Sequence, residues 1–143
     1  MLVRDILRYK DNKIHFTSQD TPLPKAIDIL NYYNIGALLV LENKKLKGII
    51  TERDVLHAIS KYAGKLFELQ VRDIMTTKLL TCKAGDELQS VMSIMTEKRI
   101  RHLPVMSEGK IAGLISIGDV VKEIIADQRS TIDHLSGYIT GKS

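Results

Sequence analysis

The sequence predicts an α/β fold: two pseudo-twofold related β-α-β-β-α repeats packed sheet to sheet, followed by a C-terminal helix. Three observations predict it. Displaced by 65 residues, positions 14–59 lie over 79–124 without a gap, and eleven of these 46 pairs are identical. Within each copy, short apolar runs alternate with stretches of helical periodicity. The composition is that of an ordinary globular chain, with 143 residues, 44% hydrophobic and 27% charged. A chain of this length buries roughly two-thirds of its surface on folding.

The elements follow in order. Val3-Arg4-Asp5-Ile6-Leu7 matches Val71-Arg72-Asp73-Ile74-Met75 at a displacement of 68, so each copy carries a short lead-in. Ile14–Thr17 and Leu79–Cys82 are short strand candidates. Asp20-Thr21-Pro22 offers a helix cap with proline in the first turn, and in the second copy Asp86 caps with Gln89 three residues on. Leu23, Ala26, Ile27 and Leu30 then recur at i, i+3, i+4, i+7, as do Leu88, Val91, Met92 and Met95, giving each helix one apolar stripe. Ala37–Leu41 with Leu46–Ile50, and Leu103–Met106 with Ile111–Ile115, are apolar runs around polar turns and read as hairpins. A second helix follows from Thr51 and from Ser116. One such unit has too little partner surface for its own sheet, and two packed together solve the problem. The expected division is 1–65 for the first repeat with its lead-in, 66–126 for the second, and 127–143 for a helical tail.

Several function classes are disfavoured. The single cysteine, Cys82, has no partner for an internal disulfide, and the four histidines show no metal-ligand spacing. No apolar run approaches the ~20 residues of a membrane helix. The start, Met1-Leu-Val-Arg-Asp, has no apolar signal region, so the cytoplasm is the expected location. The net charge of +4 is modest, tryptophan is absent, and stacking platforms for nucleic acid are poorly supplied. Neither nucleic acid nor membrane is an expected partner.

Two clusters carry potential chemistry. Gly48-Ile49-Ile50-Thr51-Glu52-Arg53-Asp54 has its copy in Gly113-Leu114-Ile115-Ser116-Ile117-Gly118-Asp119. A strand ends and a helix begins at Thr51 and Ser116. A hydroxyl at the cap with an acid three residues on is a helix-capping pattern, which explains the hydroxyl well and the acid less well, because the capping box favours the longer reach of Glu or Gln. The same geometry suits a nucleotide: helix N–H groups and a hydroxyl attract phosphate, and a carboxylate suits the vicinal diol of ribose. The second cluster is Arg99-Ile100-Arg101-His102-Leu103-Pro104, opposite Ile35-Gly36-Ala37-Leu38 in the first copy. Arg101 and His102 read either as exposed polar residues before a strand or as an anion clamp. Gly36 and Ala37 are small enough to let a flat base approach the backbone.

The repeat, the Gly-x-x-Thr/Ser-x-x-Asp motif ending each copy and the Arg-His-Leu-Pro-Val stretch resemble a tandem pair of CBS domains, the Bateman module. The resemblance covers about residues 1–126 and is strongest to small stand-alone bacterial proteins made of one such pair. It implies a non-catalytic module binding AMP, ATP, NAD(H) or S-adenosylmethionine in the cleft between the repeats, as an energy or redox-state sensor. It also implies residue roles. Asp119 and Ser116, in a turn containing Gly118, hold ribose and phosphate, with Arg101 and His102 at the phosphate. The adenine there lies against Ile35, Gly36, Ala37 and His15. In the mirror site Asp54 holds ribose, Thr51 and Arg53 hold phosphate, and the adenine lies near Leu80, Ile100 and Arg101. Gly36 and Ala37 supply no basic clamp to that mirror site.

The tail places Val121, Ile125, Gln128, Ile132, Leu135 and Ile139 at 4,3,4,3,4 spacing, a short heptad-like seam that fits a homodimer or packing on its own domain. A regulated protein partner is the further expectation. The competing readings are an assembly protein with no ligand and a small hydrolase using His102 as base and Asp119 as its orienter.

Overall fold

The computed structural model describes residues 1–9 and 14–139. Residues 140–143 of the expected tail lie outside them. The chain divides into two compact units, one of Lys13–Leu80 and one of Met1–Asn12 together with Thr81–Ser143.

In the first unit, β1 (Phe16–Thr17), β2 (Ala37–Glu42) and β3 (Lys45–Thr51) form a sheet in that order, β1 parallel and β3 antiparallel to β2. The hairpin turns through Asn43 and Lys44, both with positive φ, as a two-residue turn between twisted strands requires. α2 (Leu23–Tyr33) lays Leu23, Ala26 and Leu30 on Leu38, Val40 and Ile50 of the sheet, and α3 (Glu52–Tyr62) adds Val55 at the margin. A 3-10 segment, Ala63–Glu68, leads to α4 (Val71–Ile74). In the second unit, β4 (Cys82–Lys83), β5 (His102–Ser107) and β6 (Lys110–Ser116) repeat the sheet, with a turn at Glu108 and Gly109. α5 (Leu88–Lys98) buries Leu88, Val91 and Met95, and α6 runs unbroken from Ile117 to Ile139, where a second helix and a separate tail were expected.

The repeats of the sequence and the compact units do not share boundaries, because each lead-in packs on the other repeat. α1 (Val3–Tyr9) inserts buried Val3 and Ile6 into the core of Leu88, Val91, Leu103, Val105 and Ile115. α4 inserts Val71 into the core of Leu23, Leu38 and Ile50. The backbone bonds match one for one. Val3 N donates to Asp86 O (2.9 Å) and Arg4 N to Ala84 O (2.9 Å); Val71 N donates to Thr21 O (2.9 Å) and Arg72 N to Gln19 O (3.1 Å).

This exchange also replaces the expected helix caps. α2 starts after Pro22 with no side-chain cap, and its first N–H, on Leu23, goes to Leu69 O at 2.8 Å. α5 starts after Glu87, and Leu88 N goes to Met1 O at 3.0 Å. Lead-in carbonyls thus satisfy helix donors that side chains would otherwise cap. Asp86 instead accepts from Lys83 N (2.8 Å), Asp20 pairs with Arg72, and the first-turn proline of α2 is Pro24. The strands ahead of these helices are also shorter than the sequence suggests, Phe16–Thr17 and Cys82–Lys83, the stretches that pair in register with β2 and β5.

The equivalent glycines Gly48 and Gly113 sit where the lead-ins cross the sheets. A Cβ on Gly48 would lie 2.8 Å from the Thr76 carbonyl oxygen, which is backbone, and 3.1 Å from Met75 Sδ. A Cβ on Gly113 would lie 2.7 Å from Leu7 Cδ2, the tip of a rotatable side chain. Gly48→Ala is therefore expected to cost about 1–3 kcal/mol. Gly113→Ala is expected to fall within about 1 kcal/mol of neutral, since Leu7 can turn and the unfolded chain loses freedom. Paired thermal melts check the inequality.

Cys82 is buried in the second core, and burial, then the charge of Asp86, pushes its thiol up from 9.0 to about 12. A raised pKa favours the folded state below the unfolded value and withdraws that contribution as pH climbs from 9.0 towards about 12. Native protein at pH 8 is expected to resist a disulfide-exchange reagent that the denatured chain consumes at once; equal rates would contradict it.

Candidate functional site

In each unit the expected site residues other than Leu80 collect at one end of the sheet, where the middle strand begins and the last strand passes into a helix. Antiparallel pairing puts Ala37 opposite Thr51 in one and His102 opposite Ser116 in the other. The next step is also repeated: Glu52 N donates to Gly36 O (3.0 Å), and Ile117 N to Arg101 O (2.8 Å). The strand-to-helix turn is thus tied to the residues that precede the middle strand.

In the first unit Thr51 caps α3. Its N–H donates to Asp54 Oδ2 (2.9 Å), its hydroxyl reaches the same oxygen at 3.1 Å, and Asp54 N donates back to Thr51 Oγ1 (3.3 Å). The capping pattern therefore accounts for the acid as well as the hydroxyl: aspartate is long enough here. Arg53 is exposed on the first turn of α3. Ile35 is half-buried against the α2 face of the core, and Ala37 is buried. His15 lies immediately before β1; its carbonyl accepts from Leu39 N (3.2 Å), and its ring stacks on Tyr33 with centroids 4.0 Å apart and a 32° tilt. Leu80 is exposed and outside any strand, not on the strand predicted over 79–82.

In the second unit Ser116 N donates to Asp119 Oδ2 (2.8 Å), and Asp119 N to Ser116 Oγ (3.2 Å). Gly118 is exposed in the first turn of α6, Ile100 packs against the core, and His102 is half-buried at the start of β5. Arg101, immediately before β5, is exposed.

Two residues that sequence reasoning missed belong to the first group. Tyr33 backs the His15 ring, with Tyr32 edge-on to it at 4.9 Å. Thr76 donates its hydroxyl to Asp54 Oδ1 at 2.9 Å. It is 22 positions away in sequence, and only the placement of α4 on the first repeat brings it there. Among the described residues, no group of three or more His, Cys, Asp or Glu is placed to hold a metal ion, and no helix is long and apolar enough to cross a membrane.

The geometry agrees with comparisons to known proteins. The CBS domain family model matches twice, over residues 3–61 and 71–126. A mitochondrial CBS domain-containing protein of Arabidopsis thaliana is 34% identical over 97% of this chain and 72% of its own length. The solved structure of a protein with CBS domains from Burkholderia ambifaria is 37% identical, with a TM-score of 0.85 over 90% of this chain and 96% of its own. The CBS domain pair of protein MJ0100, crystallised with 5′-methylthioadenosine and S-adenosyl-L-methionine, is 25% identical, with a TM-score of 0.76 over 89% of this chain and 98% of that one. With the domain matched twice along most of its length and the same strand-to-helix turn in both copies, this chain belongs to the CBS-domain family.

Proposed function

We propose that the chain is a non-catalytic regulatory module that binds an adenine nucleotide, of the AMP, ATP or NAD(H) type or S-adenosylmethionine, and reports its level to a partner. One observation carries the reading: each unit ends its sheet in a hydroxyl-and-carboxylate turn at a helix start, Thr51 with Asp54 and Ser116 with Asp119. Helix N–H groups suit phosphate and the carboxylate suits ribose hydroxyls. In this reading Asp54 and Asp119 take ribose. Thr51 and Arg53 in one unit, and Ser116, Gly118, Arg101 and His102 in the other, take phosphate. His15, Ile35, Gly36 and Ala37 form one base-contacting set; Leu80, Ile100 and Arg101 serve a second. The adenosyl ligands crystallised with the MJ0100 pair support the class of ligand. A ligand then regulates only through its differential affinity for two states of the chain or its complex.

Thermal melting tests this. A nucleotide at a hundred times its Kd adds ~2.7 kcal/mol of stability. AMP, ATP, NAD and S-adenosylmethionine all failing to move the melt at millimolar concentration overturns it.

Assembly as a homodimer is the second part of the proposal. Ile132, Leu135 and Ile139 of α6 are all exposed at heptad spacing, on a helical stretch beyond residue 126 that is exposed along nearly its whole length. An isolated helix this short is marginal in water without a partner surface. Removing residues 127–143 is expected to make the protein dissociate on dilution while nucleotide binding persists, as read by light scattering and titration. An unchanged mass would place any dimer contact elsewhere.

A further inference from the structure

We infer that Thr76 is a built-in competitor for the Asp54 carboxylate, occupying an acceptor position that a ribose diol needs. The inference rests on the nucleotide reading of Asp54. The carboxylate has about four acceptor positions. Among the described residues three are engaged: Oδ2 by the Thr51 N–H (2.9 Å) and the Thr51 hydroxyl (3.1 Å), Oδ1 by the Thr76 hydroxyl (2.9 Å). The Thr51 bonds belong to the helix cap and stay with the fold. A vicinal diol brings two donors, and one position remains for them. Thr76 is also held in place. Its N–H donates to Ile49 O (2.9 Å) and its carbonyl accepts from Ile49 N (3.0 Å), and Gly48 leaves the room for that carbonyl. The competing hydroxyl is therefore pre-positioned and gives way only if its rotamer turns or the 75–76 segment lifts from β3.

Two consequences follow. The Asp54 group binds ribose ligands weakly as long as Thr76 is engaged. It also distinguishes poorly between ribose and 2′-deoxyribose, because a lone 3′-hydroxyl already fills the open position.

The test is calorimetric titration of AMP and 2′-deoxy-AMP into Asp119→Ala chains, which isolate the Asp54 event, with Thr76 intact, Thr76→Val or Thr76→Ser. Valine keeps the shape and removes the donor. The expected result is AMP binding about tenfold tighter in Thr76→Val, a gain absent or much smaller for 2′-deoxy-AMP, and unchanged affinities in Thr76→Ser. Equal or weaker AMP binding in Thr76→Val overturns the inference while leaving the nucleotide reading standing, as does an equal gain for both nucleotides, which marks simple loosening. Absence of adenine-nucleotide binding in every chain, the unsubstituted one included, overturns both. Circular dichroism melts confirm that each variant is folded.

Discussion

Removal of residues 1–9 is expected to unfold the second repeat while the first keeps its amide protection. Val3 and Ile6 are buried in the core of Leu88, Val91, Leu103, Val105 and Ile115, with Leu7 packed at its edge. Burying a side chain of this kind contributes about 1.5–3 kcal/mol. The two buried residues alone thus approach the lower end of the ~5–15 kcal/mol by which a whole domain is stable. Deletion also strips partners from backbone groups: Asp86 O and Ala84 O lose donors and Leu88 N loses its acceptor, Met1 O. Native-state hydrogen exchange resolves the outcome. Protection at Leu103, Val105 and Ile115 is expected to collapse, while Leu38, Val40 and Ile50, whose core takes Val71 instead, stay protected. Val3→Ala is the milder form, expected to cost about 2 kcal/mol. Uniform loss in both cores, or none, would show that the lead-in does not support the second repeat selectively.

The second large effect concerns binding. Arg101→Ala is expected to weaken AMP about ten- to a hundredfold, since a hydrogen bond to a charged group contributes ~1.5–3 kcal/mol and 1.4 kcal/mol is tenfold. Arg101 suits this experiment because the residue is exposed and its carbonyl, which a substitution keeps, makes the bond to Ile117 N, so the substitution is expected to spare the fold. Asp119→Ala is expected to cost binding a similar amount, but it also removes the acceptor of Ser116 N, so about 0.5–2 kcal/mol of stability goes with it. Asp54→Ala is expected to leave the tighter event intact. The ranking fails if Asp54→Ala abolishes high-affinity binding while Arg101→Ala and Asp119→Ala do not. A uniform loss in all three would point to one ligand using both carboxylates, as a dinucleotide does.

The elements were legible wherever the signal was local. Leu23, Ala26 and Leu30, and Leu88, Val91 and Met95, are the buried stripes their periodicity announces, and the hairpins fall around Asn43-Lys44 and Glu108-Gly109. The capping turns at Thr51 and Ser116 were legible too, because a cap is decided within four residues. Partnership between distant segments was not legible. Val3 and Val71 look alike in sequence, and nothing local says that each belongs to the other repeat's core. For the same reason Asp20 and Asp86 read as caps, when carbonyls of Leu69 and Met1 hold those helix ends. Thr76 escaped notice because a threonine in a connecting segment carries no pattern; its meaning comes from the 2.9 Å it lies from Asp54.

The exchanged lead-ins also bear on how the chain acquires its structure during synthesis. Every residue of the Lys13–Leu80 unit is synthesised before the first strand of the other unit. That unit can therefore close early, using α4 as soon as it emerges. Val3, in contrast, has no docking site until Asp86 and the strands beyond it exist. At about 5–20 residues per second, the opening segment waits on the order of ten seconds with its apolar side chains uncovered. Nascent chains halted near residue 80 are where chaperone contact with Val3, Ile6 and Leu7 should be greatest, fading once β6 has emerged.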